Sequence, residues 1–212
     1  MSEGFTYELG ETRKLETYEW DNLWWEHAND TECKPRILII GDSISCGYRS
    51  LVNRELEENI YADGLGTSKS LDNEHFQKLI DYVAGQQKNC KLIQFNNGLH
   101  GWHLSKEAYK EYYLGFVKYF KEKHADKKLV LALSTPVRKR EDLSQLAERN
   151  AEVILRNQAV LEIAESEGII VNDLYSLVID HPEYHSADGV HLTEEGYTVL
   201  AKQCVKVIAD AI

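Results

Sequence analysis

Three residues of the sequence have the side chains that nucleophilic catalysis needs. Ser43 lies in the segment Gly-Asp-Ser-Ile directly after an apolar run, and Asp188 and His191 form an Asp-x-x-His segment near the end of the chain. A serine hydroxyl is a weak nucleophile until a base removes its proton, and an imidazole oriented by a carboxylate can be that base near neutral pH. The pattern predicts Ser43 as nucleophile, His191 as general base and then acid, and Asp188 as the group that orients the imidazole.

Each of these residues also has a plainer interpretation. Ser43 could be a loop serine or a helix N-cap, His191 a surface histidine, and Asp188 a turn residue before Gly189. The three together favour catalysis, because each supplies the partner that another needs. The segment 41–45 lacks the second glycine of a Gly-x-Ser-x-Gly turn, which argues against an α/β-hydrolase.

Strands and helices alternate along the predicted chain. The run Arg36-Ile-Leu-Ile-Ile-Gly41 is short, β-branched and apolar, as expected for a strand covered on both faces. Strands are predicted near 36–41, 59–62, 91–95, 129–133 and 169–171, and helices near 48–58, 71–84, 106–124, 143–167 and 194–212. Ser105 and Thr193 are the predicted N-caps of the third and fifth helices. The predicted fold class is α/β, a three-layer α/β/α sandwich with a five-stranded parallel sheet.

Polar segments recur where these strands are expected to end. Gly41-Asp-Ser-Ile44 closes the first strand, Asp63-Gly-Leu-Gly66 is expected to follow the second, and Asn96-Asn-Gly-Leu-His100 the third. In an open α/β sheet, ligands bind outside the carboxyl ends of the strands. The sequence therefore predicts one site at this edge of the sheet.

The Gly-Asp-Ser-Ile and Asp-x-x-His segments resemble the nucleophile motif and the C-terminal motif of the SGNH, or GDSL, hydrolases. The resemblance covers roughly residues 35–212, and it is specific because both motifs have the right residues in the right order and position. It implies the flavodoxin-like SGNH hydrolase fold and a serine esterase activity that needs no cofactor.

The resemblance also implies an oxyanion hole, which this family builds from a serine amide, a glycine amide and an asparagine side chain. These donors carry over to Ser43, to Gly66 with Gly64 as the alternative, and to Asn97, which is favoured over Asn96 because it lies one step further beyond the strand. The third motif departs from the family's usual Gly-x-Asn-Asp. Both asparagines could instead be turn residues whose side chains bond nearby backbone.

Asn96, His100 and Trp102 are the predicted substrate contacts beside this hole. His100 and His103 have the spacing of a metal-binding pair on a helix, but no further ligand clusters with them in the sequence, so no metal is expected. Trp102 could stack on a sugar ring or pack inward.

Charge and composition limit the partners. The 212 residues include 24 Lys+Arg and 35 Asp+Glu, so a formal net charge of −11 repels phosphate backbones and anionic lipid surfaces. We therefore expect neither a nucleic-acid nor a membrane partner. The N-terminus has no apolar signal-peptide core, which predicts a soluble cytoplasmic protein. The four cysteines are expected to be free thiols, and the sequence assigns no oligomeric state.

Two parts of the chain are predicted: an arm over residues 1–34, which holds three of the four tryptophans, and an SGNH hydrolase domain over residues 35–212. The large side chains of the arm favour packing on the domain.

The expected function is hydrolysis of a short-chain carboxylic ester through an acyl-Ser43 intermediate. By analogy with the family, the leading substrate is an O-acetyl group on a carbohydrate. The alternatives are a thioesterase or lysophospholipase of the same family and a non-catalytic carbohydrate-binding protein.

Overall fold

A computed structural model describes residues 16–212, whose strands form one six-stranded sheet and one two-stranded hairpin. The strands are β1 (Asp21–Trp24), β2 (Arg36–Gly41), β3 (Tyr61–Thr67), β4 (Cys90–Phe95), β5 (Lys128–Ala132), β6 (Arg138–Lys139), β7 (Asp142–Leu146) and β8 (Ile170–Asn172). The helices are α1 (Ser43–Glu55), α2 (Glu74–Gln86), α3 (Lys106–Lys123), α4 (Asn150–Glu167) and α5 (Glu194–Ala211), with a short 3₁₀ helix over Pro182–Tyr184.

The main sheet has the strand order β1-β3-β2-β4-β5-β8. The five strands from β3 to β8 in this order are parallel, which confirms the predicted sheet. The sixth strand, β1, comes from the predicted arm and pairs antiparallel with β3, from Asp21 beside Thr67 to Trp24 beside Gly64. No local pattern predicted β1, because its hydrogen bonds go to a segment more than 40 residues away. The part of the arm before residue 16 lies outside the described residues.

Two hydrophobic layers cover the sheet, and β2 contributes to both. Ile37 and Ile39 pack against α1 and α5, while Leu38 and Ile40 belong to the layer under α2, α3 and α4. All four side chains are buried, as expected for a central parallel strand. The next strands along the chain lie on opposite sides of β2, so the polypeptide changes direction there. Such a switch point is where an α/β sheet opens a crevice for ligands.

Three element boundaries differ from the predicted ones. Helix α1 begins at Ser43 and not near residue 48, because Asp42 caps it. Strand β3 continues to Thr67, supported by neighbours on both edges. Residues 142–146, predicted to begin the fourth helix, instead pair with β6 in the hairpin. In this hairpin the Asp142 carboxylate accepts hydrogen bonds from Ser144 and Gln145, which stabilises the turn.

Several smaller predictions are confirmed. Ser105 Oγ accepts a hydrogen bond from Ala108 N, and Thr193 Oγ1 accepts one from Gly196 N, as N-caps do. The four cysteines are free thiols. Over residues 16–212, no helix is long and apolar enough to cross a membrane.

Candidate active site

Ser43, His191 and Asp188 form one hydrogen-bonded chain at the carboxyl edge of the sheet. The distance from His191 Nε2 to Ser43 Oγ is 2.8 Å, although the two residues are 148 positions apart in the sequence. His191 Nδ1 lies 2.6 Å from Asp188 Oδ2. This geometry lets the imidazole take the serine proton on one nitrogen while the carboxylate binds the N–H of the other.

The central strand β2 and the N-terminus of α1 position Ser43. Asp42, between them, is buried, and its Oδ1 accepts a hydrogen bond from Ile44 N at 2.9 Å. Burial raises the pKa of Asp42, opposed by the charges of His100 and His191. Ser43 is the first helical residue, so its own amide belongs to the first turn, whose N–H groups have no partner within a helix.

A tight turn holds Asp188 and His191 together. Asp188 Oδ1 accepts hydrogen bonds from Val190 N and His191 N, each 2.9 Å, and from Ser186 Oγ at 2.8 Å. Partial burial raises the pKa of Asp188, but the hydrogen bonds from the His191 ring, the two backbone N–H groups and Ser186 lower it by more. The pKa of Asp188 is therefore well below its usual range. The carboxylate is therefore ionised at neutral pH, the form that pairs with a protonated imidazole.

The β6–β7 hairpin supports this turn from below. Arg138 N donates to the Gly189 carbonyl at 2.7 Å, and Gly189 has a φ of +75°, in the left-handed region that glycine tolerates. The sequence did not predict this support, because the predicted fourth helix includes residues 143–146.

The two candidate asparagines point in different directions. Asn97 Nδ2 donates to the Lys69 carbonyl at 2.8 Å, in the loop after β3. Because β2 lies between β3 and β4 in the sheet, this bond spans the end of β2, the strand that precedes Ser43. Asn96 Nδ2 instead donates to the Ala132 carbonyl and to Ser134 Oγ, on the β5 side. Asn97, and not Asn96, is therefore bonded to the loop after β3.

Gly64 and Gly66 lie inside β3 and not in the loop after it, which corrects the predicted strand end. Gly66 pairs with Asn22 of β1, and two residues further on Ser68 N donates to the Trp20 carbonyl at 3.1 Å. Since every second residue of a strand directs its N–H to the same edge, the amides of both glycines face β1 and not the nucleophile. The predicted glycine donor therefore has no support from this geometry.

The loop after β4 contains the remaining predicted contacts. His100 Nδ1 lies 3.4 Å from Glu16 Oε1, and His103 Nε2 lies 2.8 Å from Asp72 Oδ2. The two histidines are not on a helix, and among residues 16–212 no cluster of three or more possible metal ligands occurs. The Trp102 ring contacts the guanidinium groups of Arg149 and Arg156, at 4.7 and 4.4 Å from its centroid. The substrate contacts of Asn96, His100 and Trp102 remain predictions.

Arg156 was not recognised in the sequence, although it organises this loop. Its side chain is buried and donates to the carbonyls of Gly98, His100 and Gly101 at 3.1, 2.6 and 2.8 Å. Three carbonyls converging on one guanidinium determine the path of the loop beyond Asn97. A signal was present in the sequence: a polar pair, Arg156-Asn157, interrupts the apolar face of α4.

The fold was compared with known proteins. No family model matches the sequence, and no curated protein does either. Solved structures do match. A lipase/acylhydrolase from Enterococcus faecalis aligns with a TM-score of 0.67 at 18% identity, over 83% of this chain and 96% of that one. A GDSL-like lipase from Bacteroides thetaiotaomicron gives 0.63 at 19% identity, over 84% and 89%. An acetyl xylan esterase gives 0.64 at 16% identity, over 82% and 99%.

Each of these likenesses covers more than four fifths of this chain. The fold is that of the SGNH, or GDSL, hydrolases, as the two end motifs predicted.

Proposed function

We propose that this protein is a serine esterase that hydrolyses short-chain carboxylic esters. The observation that carries the proposal is the hydrogen-bonded chain from Ser43 Oγ through His191 to Asp188, with distances of 2.8 and 2.6 Å. Two interpretations that the sequence left open, a helix cap for Ser43 and a surface histidine for His191, do not require these residues to meet. Their contact across 148 positions is what a nucleophile and its base need.

In the proposed reaction, Ser43 Oγ attacks the ester carbonyl while its proton moves to His191 Nε2. The carbonyl oxygen becomes an oxyanion, which the Ser43 amide and the Asn97 side chain stabilise by donating hydrogen bonds. Collapse of this intermediate breaks the ester C–O bond, and the imidazolium returns the proton to the departing alcohol. A water molecule, deprotonated by His191, then attacks acyl-Ser43; as the acyl C–O bond breaks, His191 returns the proton to Ser43 Oγ and the carboxylic acid is released.

We further propose a short acyl group, with an O-acetyl group on a carbohydrate as the leading substrate. The side chains of His191 and Asp188 are 43% and 40% exposed, which suits a bulky hydrophilic alcohol approaching from solvent. The acetyl xylan esterase among the similar structures supports this substrate class.

Turnover of p-nitrophenyl acetate and labelling by a fluorophosphonate test the proposed activity. We expect the wild type to turn over the ester and to be labelled once, and both properties to disappear in Ser43→Ala. Ser50→Ala, an exposed serine on the same helix, is the matched control and should behave like the wild type. His191→Ala should lose turnover while keeping the fold. A folded wild type that is neither active nor labelled would disprove the esterase.

A series of p-nitrophenyl esters from acetate to decanoate tests the acyl length. We expect kcat/KM to be highest for acetate and to fall steadily with chain length. Preferential turnover of the long chains would support a lysophospholipase instead, and faster turnover of acyl thioesters would support a thioesterase. Release of acetate from acetylated xylo-oligosaccharides, absent in Ser43→Ala, tests the carbohydrate substrate.

A further inference from the structure

A buried lysine lies in the loop of residues 68–70, next to the candidate oxyanion hole. The Lys69 side chain is only 3% exposed, and its ammonium group lies 2.7 and 2.6 Å from the two carboxylate oxygens of Asp21. Asp21 belongs to β1, the edge strand from the N-terminal arm. A charge this deeply buried needs a partner, because an unpaired buried charge strongly destabilises the folded protein.

Asp21 and the preceding residue, Trp20, bind the loop of residues 68–70 through several hydrogen bonds. Asp21 Oδ1 also accepts a hydrogen bond from Thr67 Oγ1 at 2.6 Å, and Thr67 Oγ1 accepts one from Lys69 N at 3.1 Å. Trp20 and Ser68 are joined by two further bonds, one between their backbones, from Ser68 N to the Trp20 carbonyl, and one from Trp20 N to the Ser68 side-chain Oγ. The path of the loop therefore depends on β1.

The Lys69 carbonyl in turn holds Asn97. It accepts the hydrogen bond from Asn97 Nδ2 at 2.8 Å. The Asn97 side chain is buried, and among the described residues its Oδ1 has no hydrogen-bond partner. One N–H of the amide is thus bound to the loop, and its direction determines where the second N–H points. A primary amide has two N–H donors, so the second remains for an oxyanion.

The N-terminal arm that contains β1 also contacts the loop after β4, on the other side of the candidate oxyanion hole. Glu16 Oε1 accepts a hydrogen bond from Gly101 N at 3.0 Å, and the Trp20 ring makes an edge contact with His100 at 6.3 Å. Residues 16–22 thus join the loop after β3 to the loop after β4.

We infer that Asp21 is a positioning residue for the oxyanion hole, because it anchors Lys69, whose carbonyl orients the Asn97 amide. The inference rests on the proposed esterase function. Donors to an oxyanion act mainly when charge develops in the transition state, so misplacing one lowers kcat and leaves substrate binding nearly unchanged.

The test uses Asp21→Asn, with Asp63→Asn as the matched control. Asp63 is a carboxylate that likewise pairs with a cation, Arg36 at 2.6 Å, and accepts a hydrogen bond from the Glu26 amide, but it is fully buried and belongs to β3, near the opposite end of β2 from the nucleophile. With p-nitrophenyl acetate we expect Asp21→Asn to lower kcat by at least about 10-fold with KM within about twofold of the wild type. Asp63→Asn should lower the unfolding midpoint but keep kcat within about twofold.

A double-mutant cycle separates positioning from general loosening. If Asp21 acts through Asn97, then Asp21→Asn in an Asn97→Ala background has no further effect on kcat. Asp21→Glu, which restores the charge, should recover part of kcat. If Asp21→Asn does not fold, Asp21→Asn with Lys69→Met removes the ion pair without leaving a buried charge, and the same loss of kcat is expected.

Three outcomes would overturn the inference. The first is wild-type kcat in a folded Asp21 variant, and the second is multiplicative effects of the Asp21 and Asn97 substitutions on kcat. The third is a loss of kcat in Asp63→Asn equal to that in Asp21→Asn. Failure of the proposed function is a different result, because the wild type itself would then show neither turnover nor fluorophosphonate labelling. In that case the inference about Asp21 would fail as well.

Discussion

The backbone carbonyl of Arg138 lies so close to Gly189 that a Cβ on this glycine would be 2.3 Å from the carbonyl oxygen. Gly189 separates Asp188 from Val190 and His191, and its φ of +75° is in the left-handed region. The turn that carries both His191 and Asp188 is therefore packed directly on the β6–β7 hairpin. A side chain at position 189 has no room on that side.

Gly189→Ala should therefore impair catalysis as well as stability. The added methyl group must displace either the turn or the hairpin, which moves Asp188 and His191 relative to Ser43. We expect kcat for p-nitrophenyl acetate to fall by at least about 10-fold, since small misplacements of catalytic groups are costly.

Gly168→Ala is the matched control for this substitution. Gly168 also has a positive φ, +65°, but an added Cβ would have no atom within 4 Å. It should cost about 1 kcal/mol in chemical denaturation, the backbone term alone, and leave kcat unchanged. Equal losses of stability and of kcat in the two variants would show that the hairpin contact is unimportant.

Asp188→Asn tests the orientation of the imidazole. An amide can donate to His191 Nδ1 and so stabilise the wrong tautomer, and kcat should fall by about 10⁴-fold. Asp173→Asn is the control, because Asp173 similarly accepts hydrogen bonds from the amide and hydroxyl of one serine, Ser176, at 2.9 and 2.7 Å. It should keep the activity of the wild type. A loss below about 10-fold in Asp188→Asn would contradict a triad role.

Substitution of the two neighbouring asparagines distinguishes the oxyanion donor from a structural neighbour. Asn97→Ala removes the amide that crosses the end of β2, so kcat should fall by about 10²–10³-fold with little change in KM. Asn96→Ala loses bonds to Ala132 and Ser134 and should lower the unfolding midpoint more than it lowers kcat. The reverse ranking of kcat values would assign the oxyanion role to Asn96.

Acid should destabilise the protein partly through His185. This residue is buried, with Nε2 3.2 Å from the Pro136 carbonyl. Burial lowers the pKa of His185, the bond to Pro136 opposes this, and the charge of Arg138 lowers it again, so the folded-state pKa is below its ordinary value. Below about pH 6.5 the unfolded chain therefore binds a proton that the folded one does not, and stability falls as the pH decreases.

Melting temperatures at pH 7.5 and 5.5 measure this effect. The decrease on acidification should be smaller in His185→Gln than in the wild type. His124, whose pKa burial also lowers, is present in both proteins, so its contribution cancels. Equal decreases would show that His185 does not contribute.

Local patterns were enough to predict the order of the five parallel strands and the five long helices, and to single out Ser43, Asp188 and His191. The apolar run before Gly41, the caps Ser105 and Thr193, and the two short motifs around Ser43 and His191 each depend on neighbours within a few positions. Such signals survive in the sequence because capping, burial and turn formation are short-range.

Which groups surround the nucleophile was decided only by the tertiary structure. Asp21 meets Lys69 across 48 positions, Asn97 rather than Asn96 crosses β2, and the Gly66 amide faces an edge strand that no local pattern predicted. A sequence records which donors and acceptors exist, but their partners depend on sheet order and register. Those are set by packing of the whole chain, because a strand satisfies its backbone groups with whichever segment the fold brings beside it.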